Sequence, residues 1–229
     1  MPDLNTRYTQ VPRATLWLVE GDEFLMGSEE PGEGPPFVIE VGSFYISKGV
    51  ITNEQYAAFR PEHVRSPLAS GDDDPAVGVS FVDAAAYCDW YAQLSRKRFR
   101  LPTEAEWEFA CRGRTTSRCF FGNSQADADL FVWHRNNSGG HCHAIESAHA
   151  NPMGLHEMLG NVWEWTASLY RPYPIVEGDG RDEREAPGPR MLRGGSFRSD
   201  LSEIGSAVRR AEDPEARHDD VGFRIVRAL

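Results

Sequence analysis

Three short apolar-rich runs open the chain, at positions 15–20, 23–27 and 37–46, and predict β-strands; the last, FVIEVGSFYI, has the rough period-two alternation of a half-buried strand. The acidic, turn-rich EEPGEGPP lies between the second and third. Thr52 has the features of an N-cap for a helix over NEQYAAF, which sets Tyr56 and Phe59 on one face, and positions 60–74 read as an irregular loop ending in GDDDP. Two capping boxes follow. Ser80 with Asp83 starts a helix through DAAAYCDWYAQLS, and Thr103 with Glu106 starts a shorter one that aligns Trp107, Ala110 and Cys111. Beyond Arg112 helical periodicity is scarce, and Gly, Asn, Pro and Asp punctuate nearly everything. So long a stretch with few elements needs another source of order: metal ions, dense side-chain-to-backbone hydrogen bonding, or buried tryptophans such as Trp133, Trp163 and Trp165.

Composition narrows the classes. The 229 residues show no linker-like stretch and no internal repeat, which predicts one domain over residues 1–229, and a hydrophobic content of 40% is enough for a sizeable core. A formal net charge of −11 opposes binding to nucleic-acid phosphates and suits cations better. The N-terminal stretch lacks the basic-then-apolar order of a signal peptide, and no apolar run reaches the ~20 residues that span a bilayer. The expectation is a cytoplasmic chain with neither nucleic acid nor membrane as a partner. Cys88, Cys111, Cys119 and Cys142 contain no CxxC pair and are expected as free thiols.

The ordered succession FLMGS, FYISKGVITNEQYAAF, RLPTEAEWEFACRG, FFGN, NSGG, NPMGLHEMLGNVWEW, MLRGGSF and VGFRIV closely resembles the formylglycine-generating enzyme and its bacterial relatives, from about Thr15 to the C-terminus. The resemblance implies an α+β fold, a variant of the C-type lectin fold with a small twisted antiparallel sheet, two main helices and long metal-stabilised loops. It also exposes a departure. Members that make formylglycine use two cysteines shortly after RGGS, which bind copper as thiolates, and a hydroxyl cannot substitute because soft thiolates select Cu(I). Here the segment reads Arg193-Gly194-Gly195-Ser196-Phe197-Arg198-Ser199-Asp200-Leu201-Ser202-Glu203, with Ser199 at the first thiol position and no cysteine after Cys142. No copper is expected.

The resemblance further implies calcium. One hard-oxygen cage would take the Glu157 and Glu164 carboxylates with the Gly160 and Val162 carbonyls; the alternative makes Glu157 a solvated loop residue and pairs Glu164 with an arginine such as Arg193. A second would take the Asp129 side chain, the Leu130 carbonyl, the Asn137 side chain and the Gly139 carbonyl, with Asn137 less acidic than the residue common at that position. His141 and His143, with Cys142 between them and His149 and His156 nearby, lack helical metal-ligand spacing and read as structural or surface residues. Cys88 and Cys111 read as small buried hydrophobes on the two helices, and Arg193, Arg209, Arg210, Arg217 and Arg224 as a scaffold of internal ion pairs.

Three functions remain open. A non-catalytic binding or accessory module would hold a protein, peptide or small molecule at Ser196, Arg198, Ser199, Glu203 and Arg209. An oxidoreductase acting on a peptide or siderophore-like precursor would need a different constellation, involving Glu203 or His143. A ligand binder diversified by a retroelement would vary this same C-terminal segment. The first is the working expectation.

Overall fold

The computed structural model describes residues 13–122, 124 and 127–229. In chain order the elements are β1 (Leu16–Val19), β2 (Asp22–Met26), β3 (Phe37–Val41), β4 (Phe44–Ser47), α1 (Asn53–Phe59), α2 (Phe81–Ser95), β5 (Phe99–Arg100), α3 (Glu104–Arg112) and α4 (Ala128–Phe131). Then follow β6 (Trp163–Leu169), β7 (Arg190–Arg193), a 3-10 turn at Leu201–Glu203, β8 (Arg209–Glu212), β9 (Val221–Phe223) and β10 (Val226–Ala228). The sheets are β1-β4-β10-β5, a β2-β3 ribbon and β8-β7-β6-β9. All pairings are antiparallel except that of β6 with β9. The last strand thus closes onto the first sheet, with Val226 opposite Ile46, and ties the chain's end to its beginning.

The strand expected over 37–46 is two strands in different sheets. The chain turns at Gly42-Ser43, where the Ser43 hydroxyl accepts the Gly21 amide (2.9 Å), and Gly21 approaches so closely that a Cβ there would lie 2.1 Å from the Val41 carbonyl.

All three capped helices form where their caps stand. Thr52, Ser80 and Thr103 each accept the N3 amide while Gln55, Asp83 and Glu106 return a bond to the cap amide, each cap contributing about 1 kcal/mol. Helix α1 aligns Tyr56 with Phe59 (5.7 Å, edge-on) and stacks Tyr56 on Tyr87 of α2 (5.8 Å); Phe223 of β9 meets Tyr87 edge-on at 5.3 Å. Helix α3 buries Trp107 completely on the opposite side of the core.

The second half is ordered by side-chain-to-backbone bonding and by tryptophan. Arg190 alone donates to the carbonyls of Ala167 (2.7 Å), Glu183 (3.0 Å), Arg184 (2.5 Å) and Ala186 (2.9 Å) while its guanidinium covers the Phe81 ring at 4.4 Å. Trp165 is fully buried, its indole N–H donating to the Val79 carbonyl (3.0 Å). Among the described residues no helix is long and apolar enough to cross a membrane.

Candidate functional site

The site begins with α3. Its capping box orients the first turn so that Glu104 and Glu108, one turn apart, both point into the core, where each is fully buried. Buried carboxylates need charged partners. Arg193, at the end of β7, donates to Glu104 (3.1 Å) and to Glu108, and Arg112 grips Glu108 (2.7 Å) from the next helical turn. Arg209 donates to both Glu104 oxygens (2.7 and 3.1 Å), joined by the Tyr173 hydroxyl (2.9 Å). Burial alone would lower the Arg193 pKa, but Glu108, Tyr173 and Glu104 outweigh it and hold the guanidinium charged. Arg209 is thereby fixed with its guanidinium 3.8 Å over the Tyr173 ring and 5.0 Å from Tyr170.

Arg209 forms one wall of a groove of about 500 Å³, a volume typical of ligand sites. All five residues expected at a ligand surface, Ser196, Arg198, Ser199, Glu203 and Arg209, line it. The paired glycines Gly194 and Gly195, both at positive φ, turn the chain out of β7 so that Ser196 follows at its base. Ser196 Oγ donates to Asp220 (2.8 Å), and Ser199 Oγ accepts the Ser196 amide (3.2 Å), so the hydroxyl at the thiol position is 5% exposed and engaged in holding the turn. Glu203 is committed to the Asp200 amide (2.9 Å) as the return partner of a one-turn capping box.

Asp220, Trp163 and Tyr170 also line the groove, and the local pattern around them does not announce it. Asp220 arrives because β9 runs parallel to β6, a long-range pairing, and its carbonyl accepts the Trp163 amide (2.8 Å). Trp163 and Trp165 are both buried in one apolar cluster, as expected for VWEW, and Trp163 also borders the groove, with Arg210 5.7 Å from its ring.

The first calcium set does not fit the donors present. Glu164 is 1% exposed, and both its oxygens face the Arg224 guanidinium (2.6 and 2.7 Å), with the Trp107 indole adding a third bond (2.8 Å). A fixed guanidinium already supplies the cation there. The partner is Arg224, not the Arg193 suggested by sequence. Glu157 is buried rather than solvated; its oxygens accept the Glu146 (3.0 Å) and Ala148 (3.1 Å) amides, and burial raises its pKa in spite of them. Gly160 is needed for space: its φ is +72°, and a Cβ would lie 2.4 Å from the Trp133 carbonyl. Val162 is buried just ahead of β6.

Of the second set, the Asp129 and Asn137 side chains meet. Asp129 Oδ1 meets the Asn137 amide nitrogen at 3.2 Å and His134 Nε2 at 2.8 Å, while Asn137 Oδ1 accepts the His134 amide (2.7 Å) and the Leu130 carbonyl accepts the His149 amide (2.9 Å). Gly139, at positive φ, follows two residues later beside His141. No cluster of three His, Cys, Asp or Glu side chains suited to a metal occurs among the described residues. His143 stacks on Trp133 (3.7 Å between centroids) and donates through Nε2 to the Ser138 carbonyl (2.8 Å), and His141 stacks on His143 (4.6 Å), a structural role for both.

All four cysteines are free and buried. Burial pushes Cys111 up to about 12 and Cys119 up to about 11, and raises Cys88 and Cys142 as well, so all four are thiols rather than thiolates at neutral pH. The five arginines expected as scaffold are all ion-paired, the remaining two as Arg210–Glu212 (2.6 Å) and Arg217–Asp83.

The formylglycine-generating enzyme of Streptomyces coelicolor is 28% identical over 89% of this chain and 84% of its own length. The inactive C-alpha-formylglycine-generating enzyme 2 of Mus musculus is 29% identical over 97% of this chain and 88% of its own. Serine/threonine-protein kinase pkn1 of Chlamydia caviae is 29% identical over 92% of this chain, which spans only 37% of that protein. Among solved structures, Treponema denticola variable protein 1 superposes with a TM-score of 0.83 at 22% identity (94% of this chain, 95% of that one), and PvdO from Pseudomonas aeruginosa with 0.80 at 24% identity (93% and 94%). These likenesses establish the α+β, C-type-lectin-like fold. With residues 2–229 matching the sulfatase-modifying factor enzyme 1-like domain, the chain belongs to that family.

Proposed function

We propose that this chain is a non-catalytic member of its family, a binding or accessory module that holds a peptide, protein or small molecule in the groove walled by Arg209 and floored by Ser196. The observation that carries the reading is Ser199. It stands where the enzymes place a thiol, and its hydroxyl is spent on the Ser196 amide while the groove around it stays open, with about 500 Å³ of space. The mouse relative, named as an inactive formylglycine-generating enzyme, supports the same reading.

The rigid parts of the groove favour binding over chemistry. Arg209 is locked by Glu104, and the exposed Tyr170 ring offers flat apolar surface at low entropic cost. Calcium enters this reading only at the Asp129–Asn137 loop, where the Asn137 side chain would turn its oxygen toward the ion. Four buried, unpaired thiols support a reducing compartment, the cytoplasm.

The test uses a displayed library of cysteine-free random peptides panned on the wild-type chain and on Ser202→Trp, an exposed groove position. Clones that bind the wild type and lose at least tenfold affinity for the variant are expected. Failure to select any groove-dependent clone contradicts a peptide-binding groove.

A further inference from the structure

A second cavity, of about 540 Å³, lies at the C-terminal end of α2, above β1, β5 and β10. Four cations line it: Arg13 ahead of β1, Arg96 and Lys97 just after α2, and Arg227 on β10. Among the described residues no acidic one lines it. Its remaining wall is apolar and aromatic, chiefly Tyr91, Leu94 and Phe99.

In a chain of net charge −11 this is anomalous. Most buried guanidinium groups elsewhere meet a carboxylate or several carbonyls, as when Arg100, one residue beyond Phe99, takes both oxygens of Glu106 (2.6 and 2.7 Å) and Arg190 takes four carbonyls. Among the described residues none of the four cavity cations makes an ion pair. Arg227 rests on the Tyr45 ring at 4.2 Å and leaves its Nε buried with no hydrogen-bond partner. A helix C-terminus attracts cations, which accounts for Arg96 and Lys97 singly. It does not account for Arg13 and Arg227, which two separate strands bring to the same cavity. Like charges gathered without counterions repel, and the arrangement is offset when an anion enters. The clue in sequence was the run Arg96-Lys97-Arg98-Phe99-Arg100, masked by the acidic balance of the whole chain.

We propose that this cavity binds a small amphipathic organic anion, its carboxylate or phosphate held by Arg13, Arg96, Lys97 and Arg227 and its apolar body laid against Tyr91, Leu94 and Phe99. The site is separate from the groove and does not depend on the function assigned there.

The probe is 1-anilinonaphthalene-8-sulfonate, an aromatic sulfonate whose fluorescence reports burial, titrated into the full chain at physiological salt. Saturable binding is expected, displaced by decanoate if the natural head is a carboxylate or by adenosine monophosphate if it is a phosphate. The double variant Arg96→Glu, Lys97→Glu alters two exposed side chains; it should weaken binding at least tenfold while the chain stays folded, its melting temperature lowered only by the few degrees that reversed charge at a helix C-terminus costs, whereas Ser202→Trp in the groove should leave binding intact. Absence of saturable binding overturns the proposal, as does binding that survives the double reversal. Binding to phosphatidylserine vesicles without displacement by either soluble anion also overturns it, in favour of a lipid-facing surface.

Discussion

Replacing Glu164 with Gln separates an ion-pair scaffold from a calcium scaffold. Glu164 and Arg224 are both essentially buried, joined by two charge-assisted bonds of 2.6 and 2.7 Å, and Arg224 also donates to the carbonyls of Ser47 (3.1 Å) and His156 (3.1 Å). The pair thus links the β6 loop, the end of β4 and the approach to β10. The variant keeps the shape but strands a buried guanidinium against a neutral amide whose nitrogen is the wrong polarity for one of the two donors. Breaking a buried pair this way costs about 3–5 kcal/mol. At about 2–4 °C per kcal/mol for a domain of this size, the melting temperature should fall by roughly 6–20 °C. The assay is thermal unfolding followed by circular dichroism, with and without EGTA and with added calcium. The drop should be the same in every condition. A wild-type melting temperature that rises with calcium, and a variant in which that response is lost, would refute the reasoning and restore Glu164 as a metal ligand.

Other outcomes follow from burial. Burial, with Arg217, Arg60 and Arg65 nearby, lowers the His63 pKa below its ordinary 6.5 despite a backbone bond at Val77, so as pH falls through 6.5 the unfolded chain takes up a proton that the folded chain refuses. Stability should therefore fall below that pH, and His63→Phe should flatten this part of the urea-midpoint profile between pH 7.5 and 5.5; an identical slope in the variant contradicts the assignment. The four buried thiols should resist Ellman's reagent in the native chain at pH 8 and all react in urea. Rapid native reaction of any one of them would show a thiolate that the structure does not provide.

What was legible in the sequence was local. Thr52, Ser80 and Thr103 announce their helices because cap and return partner sit three residues apart, within reach before any tertiary contact forms. Ser196, Arg198, Ser199, Glu203 and Arg209, singled out by the RGGSF motif and its neighbours, line one groove. Strand β6 was not legible as a strand, because six of its seven residues are buried and a strand covered on both faces shows no alternation. Likewise the Glu164–Arg224 pair spans 60 residues and Arg209–Glu104 spans 105, distances over which one sequence carries no pairing information. The motif around Glu157 and Glu164 carries no sign of the cation that serves Glu164, because Arg224 lies 60 residues away between β9 and β10.

The proposed groove binds without oxidising. Its most direct test incubates the purified chain, supplied with Cu(I) and oxygen, with a sulfatase-derived peptide containing the target cysteine, and reads aldehyde by mass spectrometry. The account predicts unmodified cysteine at every time point, because no thiolate pair stands at Ser199 or beyond it. Aldehyde that accumulates over several turnovers would contradict it.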